Sequence, residues 1–86
     1  MTAQSLIEKP PQVCLSQLKP GDQGTITSYR ERTDVSHRLR ELGLVRGVQV
    51  QVKRLAPLGD PMELVVRGYH LSIRKKDAAQ ILVTRC

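Results

Sequence analysis

An alternation of apolar and polar residues in the second half of the chain constrains the fold more than any other feature of the sequence. Between positions 48 and 53, valine takes every second position, and Gln or Lys takes the positions between. A period of two places the valines on one face of a β-strand and the polar side chains on the other. The same period returns in residues 62–66 and 71–73. We therefore predict three consecutive strands.

Two turn segments separate these strands. The first is Ala56-Pro57-Leu58-Gly59-Asp60-Pro61, in which proline, glycine and aspartate together favour a tight reversal. The second is Gly68-Tyr69-His70. Because short reversals join antiparallel neighbours, the three strands are predicted to form an antiparallel meander.

A short helix is predicted just before the first of these strands. Three apolar residues recur there at the spacing of one helical stripe: Val35, Leu39 and Leu42. Thr33 or Asp34 supplies the oxygen that caps the first N–H groups, and Gly43 takes the left-handed conformation that ends the helix. A helix of about ten residues does not persist alone in water, so we expect it to pack against the strands.

The remaining predicted elements lie toward the two ends of the chain. Residues 24–29 form a first strand with Ile26 inward, residues 75–79 form a single helical turn, and residues 80–84 form a last strand. Residues 1–13 contain two adjacent prolines and little periodicity, which is typical of a flexible leader. We therefore divide the chain into a leader, 1–13, and one domain, 14–86.

The composition fits a small barrel of short strands. A domain of 86 residues buries only about 60% of the surface that its unfolded chain exposes. With no Trp, no Phe and two Tyr, its core is built from Val, Leu and Ile. The predicted fold is mainly β: a five-stranded SH3-like barrel with one short inserted α-helix and a single-turn helix before the last strand. Periodicity alone does not distinguish it from an OB-type barrel, although the turn before the last strand favours the SH3-like barrel.

The sequence shows neither a catalytic nor a metal-binding arrangement. Ser36 and His37 are adjacent, but neighbours on a helix point about 100 degrees apart, so they do not form a nucleophile and its base. Four possible metal ligands are dispersed without ligand spacing: Cys14, His37, His70 and Cys86. We predict no enzymatic activity, no cofactor and no iron site. Both cysteines are expected to be free thiols, with a bridge between them as the alternative.

The positive charge of the chain allows three interpretations. Fourteen Lys and Arg stand against eight acidic residues, for a formal net charge of +6. Such charge keeps a small protein soluble without a partner, attracts it to anionic headgroups and an acidic partner, or follows a nucleic-acid backbone. Nucleic acid is the weaker alternative, because single-strand binding uses aromatic stacking platforms and only Tyr29 and Tyr69 are available.

An ordered set of motifs runs through residues 15–84. In chain order these are Leu15-x-x-Leu18-Lys19-Pro20-Gly21-Asp22-x-Gly24-x-Ile26, Arg38-Leu39-x-Glu41-Leu42-Gly43-Leu44-Val45-x-Gly47-x-x-Val50, Ala56-Pro57-Leu58-Gly59-Asp60-Pro61, Val66-Arg67-Gly68-Tyr69 and Leu71-x-Ile73-Arg74-Lys75-x-Asp77-Ala78-Ala79-x-Ile81. The set resembles the FeoA family, the small cytosolic component of bacterial ferrous iron uptake. No single motif is specific to that family, but the ordered set is.

The resemblance implies an SH3-like fold, no catalytic residues and a role beside FeoB, a membrane permease with a cytoplasmic GTP-binding domain. We expect a cytoplasmic protein that docks on that domain, at the inner face of the membrane but not inserted, since no stretch approaches the roughly 18 apolar residues of a span. A scaffold or regulator is favoured over an arginine finger in the partner's GTP site, and self-association stays open.

The expected contact surface combines the exposed side of the helix with the proline-rich turn. Its residues are Arg38, Arg40, Glu41, Arg46, Pro57, Leu58 and Gly59. At the tip of the turn, Leu58 either anchors a partner or folds over the end of the barrel.

Overall fold

Residues 12–85, the part of the chain that the computed structural model describes, contain six antiparallel strands and two short α-helices. The strands are β1 (Gln12–Cys14), β2 (Gln23–Tyr29), β3 (Gln49–Leu55), β4 (Met62–Val66), β5 (Tyr69–Ile73) and β6 (Ile81–Arg85). In sequence, helix α1 (Asp34–Glu41) lies between β2 and β3, helix α2 (Lys75–Ala78) lies between β5 and β6, and a 3₁₀ turn (Leu15–Gln17) follows β1. The mainly β prediction with one inserted helix and a single-turn helix is confirmed. Neither α1 nor α2 is long and apolar enough to cross a membrane.

The six strands form one sheet in the order β1-β6-β2-β3-β4-β5. The predicted meander is present, because β4 pairs with β3 on one side and with β5 on the other. The pairing register shifts within β2, between Ile26 and Ser28, and within β3, between Val52 and Arg54. Bulges of this kind bend a strand and increase its twist, so they allow a short sheet to curve around its core.

Strand β1 is an addition to the five predicted strands. It pairs with β6, with Val13 opposite Val83, so the sheet begins two residues before the domain boundary predicted at residue 14. A strand of three residues is too short to show a period of two, which is why the sequence did not predict it. Residues 1–11 of the predicted leader, and Cys86, lie outside the described residues.

The core lies on the face of the sheet where the alternating apolar residues were predicted. In β3 the alternating residues Val50 and Val52 are buried up to the register shift, every second residue of β4 is buried, and residues of the other elements complete the cluster. Its buried members are Leu15, Leu18, Ile26, Leu39, Leu44, Val48, Val50, Val52, Met62, Leu64, Val66, Ile73, Ala78, Ile81 and Val83. Burial stabilises by roughly 1.5–3 kcal/mol for each Val, Leu, Ile or Met side chain. Through Leu39 and Leu15 it holds α1 and the 3₁₀ turn against the sheet.

Helix α1 departs from the prediction at Leu42. Leu39 is buried and Val35 is half-buried, but Leu42 is 42% exposed. The helix ends at Glu41, and the chain then reverses through Gly43, so that Leu44 is buried instead. The apolar period continued one residue past the end of the helix, and the inward placement of Leu42 was therefore wrong.

Candidate functional site

Side-chain hydrogen bonds fix the beginning of α1. Thr33 Oγ1 accepts from the Ser36 backbone N–H at 3.1 Å, and Ser36 Oγ accepts from the Thr33 N–H at 2.9 Å. Such a reciprocal pair satisfies two backbone donors at the helix start that otherwise lack partners. Ser36 itself is buried, with 1% of its surface exposed. Thr33 rather than Asp34 is therefore the N-cap.

Two tyrosines from different strands fix the segment that leaves α1. Tyr69 Oη donates to the carbonyl of Leu42, and Tyr29 Oη donates to the carbonyl of Leu44 at 2.6 Å. Gly43 lies between these carbonyls with φ +102°, and a Cβ there would approach Tyr69 Oη to 2.8 Å. Glycine is required at this position by both its backbone angle and the close approach, which confirms the predicted role of Gly43.

A cleft of about 480 Å³ lies between β2, α1 and the residues that follow the helix. Three arginines line it, one before the helix, one on it and one after it: Arg32, Arg40 and Arg46. The other lining residues are hydroxyl-bearing or apolar: Thr27, Ser28, Tyr29, Ser36 and Val45. Within residues 12–85 none of the three arginines forms an ion pair. We call this feature the arginine cleft.

The Tyr29 ring supports Arg40 in the arginine cleft. The guanidinium carbon of Arg40 lies 5.8 Å from the ring centroid, within the range of a cation–π contact. Burial raises the pKa of Tyr29 to about 12, and the nearby positive charge of Arg40 opposes that rise only in part. The phenol is therefore neutral near pH 7, and it holds Arg40 without cancelling its charge.

The other predicted contact residues of α1 lie away from the arginine cleft. Arg38 lines a different, smaller pocket together with Leu42 and Arg74. Glu41 pairs with His37, with Oε2 and Nε2 3.2 Å apart, and both side chains are exposed. The structure thus brings Arg40 and Arg46 together and leaves Arg38 and Glu41 outside their cleft.

The proline-rich turn presents Leu58 to solvent. Leu58 is 95% exposed, so it does not fold over the end of the barrel. The Gly59 N–H donates to the Ala56 carbonyl at 2.7 Å, and Asp60 Oδ1 accepts from the Lys75 N–H at 2.8 Å. The first bond closes the turn and the second attaches it to the start of α2. In the described part of the chain, no hydrogen bond or ion pair joins Pro57, Leu58 or Gly59 to α1.

The possible metal ligands are not assembled in the described residues. Between positions 12 and 85, no group of three His, Cys, Asp or Glu side chains is arranged to hold a metal ion. Cys14 is a free thiol whose Sγ lies 3.6 Å from Arg30 Nη1, and His70 is exposed. Because Cys86 lies outside the described residues, the expectation that the chain holds no iron stays a prediction.

Arg32 and Ser36 belong to the arginine cleft but not to the predicted contact surface. Arg32 lies in the loop before α1, where no periodicity indicates the direction of a side chain. Ser36 lies three residues after Thr33, and this capping-box spacing is the one signal in the sequence that places its hydroxyl at the helix start.

The comparison with protein families and with curated proteins agrees with the motif resemblance. The family model described as "FeoA domain" matches residues 13–85. A protein of Porphyromonas gingivalis, named as a fusion of Fe(2+) transport protein A and Fe(2+) transporter FeoB, is 39% identical to this chain over 69 residues. The match covers 80% of this chain but only 8% of the fusion protein.

Solved structures show the same fold. The FeoA-like protein of Clostridium acetobutylicum superposes with a TM-score of 0.84 at 30% identity, over 90% of each chain. FeoA of Stenotrophomonas maltophilia, described as a procaryotic SH3 domain protein and solved as a complex with zinc, superposes with a TM-score of 0.70 at 27% identity, over 80% of this chain and 86% of the other. The predicted SH3-like architecture is thus confirmed. Since the family model spans nearly all of the described residues, this chain belongs to the FeoA family, which is linked to ferrous iron transport.

Proposed function

We propose that this chain is a non-enzymatic accessory protein of bacterial ferrous iron uptake, and that it binds the cytoplasmic part of a FeoB-type GTP-binding permease. The observation that carries the proposal is the Porphyromonas gingivalis relative, in which a segment 39% identical to this chain shares one polypeptide with an Fe(2+) transporter. Fusion gives two domains a high effective concentration. Two separate chains that act together must instead recognise each other through a docking surface.

Leu58 is the apolar part of the proposed docking surface. Its side chain is 95% exposed, so its burial in a complex would contribute roughly 1.5–3 kcal/mol. The turn is already held by the hydrogen bonds from Gly59 to Ala56 and from Lys75 to Asp60. A loop that is ordered before binding loses little conformational entropy in the complex, which favours Leu58 as an anchor.

The arginine cleft is the charged part of the proposed docking surface. The guanidinium groups of Arg32, Arg40 and Arg46 have no acidic partner within residues 12–85. They would complement an acidic surface of the permease domain, and the positive charge would also favour a position beside the anionic lipids of the cytoplasmic leaflet.

We assign the chain a scaffolding or regulatory role rather than that of a GTPase activator. An arginine finger requires one guanidinium to reach the transferred phosphoryl group, and three arginines share the cleft without one being set apart. Equal rates of GTP hydrolysis by the isolated permease domain with and without this chain are expected. A large increase that disappears on replacement of one arginine would contradict this assignment.

Affinity capture from a membrane extract tests the proposed function. The full chain serves as bait at moderate and at high salt, and both the permease and nucleic acid are measured in the captured material. Recovery of the permease without nucleic acid is the expected result. Nucleic acid without the permease, lost as salt rises, would overturn the proposal in favour of backbone binding by the basic surface.

A further inference from the structure

The arginine cleft continues beyond Arg46 along strand β2. A second cleft of about 540 Å³ shares three lining residues with it: Thr27, Ser28 and Arg46. The second cleft is otherwise lined by Gln12, Thr25, Ile26, Gly47 and Thr84. The two clefts therefore adjoin along β2, and we refer to them together as the β2 groove. It runs from Arg32 and Arg40 at one end to Gln12 and Thr84 at the other.

The charge of the β2 groove has one sign. Among residues 12–85, its lining includes three arginines and neither Asp nor Glu. Other arginines on the described surface do form ion pairs with acidic residues: Arg54 pairs with Glu63 at 3.0 Å, and Arg85 pairs with Asp22 at 3.8 Å. A guanidinium binds a carboxylate through two parallel, charge-assisted hydrogen bonds. Neighbouring arginines without acidic partners therefore favour a ligand that brings carboxylates.

The shape of the β2 groove favours an extended chain over a small anion. A single free anion would occupy the arginine end alone and would leave the part between Gly47, Gln12 and Thr84 unused. An extended peptide advances by about 3.3 Å per residue, so several consecutive residues would fit along adjoining clefts. At the arginine end, the Tyr29 ring and Val45 add an apolar surface beside the charges, which suits a peptide that carries one apolar residue among acidic ones.

We propose that the β2 groove binds an extended acidic peptide segment. The carboxylates of the segment bind Arg32, Arg40 and Arg46. An apolar side chain of the segment packs against Tyr29 and Val45. This inference deepens the proposed function. It rests on that function only in naming the permease as the protein that carries the segment, and the binding of an acidic peptide to the groove can be tested without the permease.

A labelled peptide provides the direct test. The probe is the capped pentapeptide Glu-Glu-Leu-Glu-Glu with a fluorophore, its matched partner has Gln in place of every Glu, and binding to the full chain is followed by fluorescence anisotropy at low ionic strength. The native chain should bind the Glu peptide and not the Gln peptide. The double variant Arg40→Gln/Arg46→Gln should weaken binding by roughly tenfold or more, because it removes two charge-assisted contacts.

A charge-matched double variant is the control. Lys19→Gln/Lys53→Gln removes the same charge from two exposed lysines that do not line the groove, and it should change the affinity by less than about twofold. Equal losses in the two double variants would overturn the proposal, because they would show attraction to net charge alone. So would failure of the native chain to bind the Glu peptide.

Phosphate sources and the permease provide the remaining arms. The proposed peptide ligand would be overturned if the Glu peptide did not bind while inorganic phosphate or phosphatidylserine vesicles bound through Arg40 and Arg46. The groove would then be a phosphate or headgroup site. The two proposals fail separately. Peptide binding by a chain that captures no permease overturns the proposed function alone, whereas undiminished permease capture by Arg40→Gln/Arg46→Gln overturns the groove as the docking site.

Discussion

Tyr69, on strand β5, donates its phenolic hydrogen bond to the carbonyl of Leu42, the residue that caps the end of helix α1 27 positions earlier in the chain. The last carbonyls of a helix have no partner within the helix, and here the meander supplies one. Tyr29 satisfies the Leu44 carbonyl on the other side of Gly43. The two tyrosines therefore determine how α1 joins β3, and with it the positions of Arg40 and Arg46.

Gly43→Ala should destabilise the protein more than Gly47→Ala. Both glycines have positive φ, +102° and +89°, so alanine costs roughly 1–2 kcal/mol at either position. At position 43 the new Cβ would also lie 2.8 Å from Tyr69 Oη, whereas position 47 has nothing within 4 Å. The free energy of unfolding in urea measures the difference. Adding Tyr69→Phe should recover part of the extra loss at Gly43, and equal losses at both glycines would contradict the contact.

Thr33→Ala should lower the free energy of unfolding by about 1 kcal/mol, the usual cost of losing an N-cap. Its hydroxyl oxygen accepts the Ser36 N–H, and its loss would leave that donor beside a buried side chain. Thr33→Ser keeps the oxygen and serves as the control in the same urea titration. A serine variant that is as unstable as the alanine variant would mean that the methyl group, not the cap, matters.

The valine-rich strand was predictable because its apolar residues fall on one face and its polar residues fall on the other. At Val48, Val50 and Val52 this period of two is uninterrupted, and all three side chains are buried as expected. Leu42 was not predictable in the same way, because a helical period carries no information on where the helix stops. Its exposure follows from the left-handed Gly43 and the hydrogen bond from Tyr69, which joins residues far apart in sequence.

The candidate site could be predicted only in part, because it too depends on how residues far apart in sequence come together. Arg40 and Arg46 were named among the contact residues, and they do share a cleft. Arg38 was named with them, but it lies in a different pocket. The sequence indicates that these arginines are exposed, but which exposed side chains share a cleft depends on how α1 lies relative to β2 in the folded chain. Arg32, in a loop, carries no such signal.

Raising the pH should remove a contribution of Tyr29 to stability. Its pKa is raised from 10.0 to about 12 by burial, against the opposing charge of Arg40. A pKa that is higher in the folded state means that the neutral phenol is favoured by folding, so this contribution is complete below pH 10 and is lost as the pH rises through 12. The free energy of unfolding of the native chain should therefore fall more steeply in that window than that of Tyr29→Phe. Parallel pH profiles of the two proteins would contradict the shift.

Leu58→Asp should leave the stability of the protein unchanged while weakening capture of the permease. The side chain is 95% exposed, so its replacement removes no core contact, and surface changes of this kind stay within about 0.5 kcal/mol. In a complex, however, a charge in place of a buried leucine loses the apolar contact and adds a desolvation cost. Gln51→Asp, at another exposed position, adds the same charge away from the turn and should capture the permease as the native chain does. Melting temperatures establish that both variants are folded, and the amount of captured permease is then compared at one bait concentration. If folded Leu58→Asp captured as much permease as the native chain, the turn would not be part of the docking surface. The arginine cleft would then have to account for permease binding.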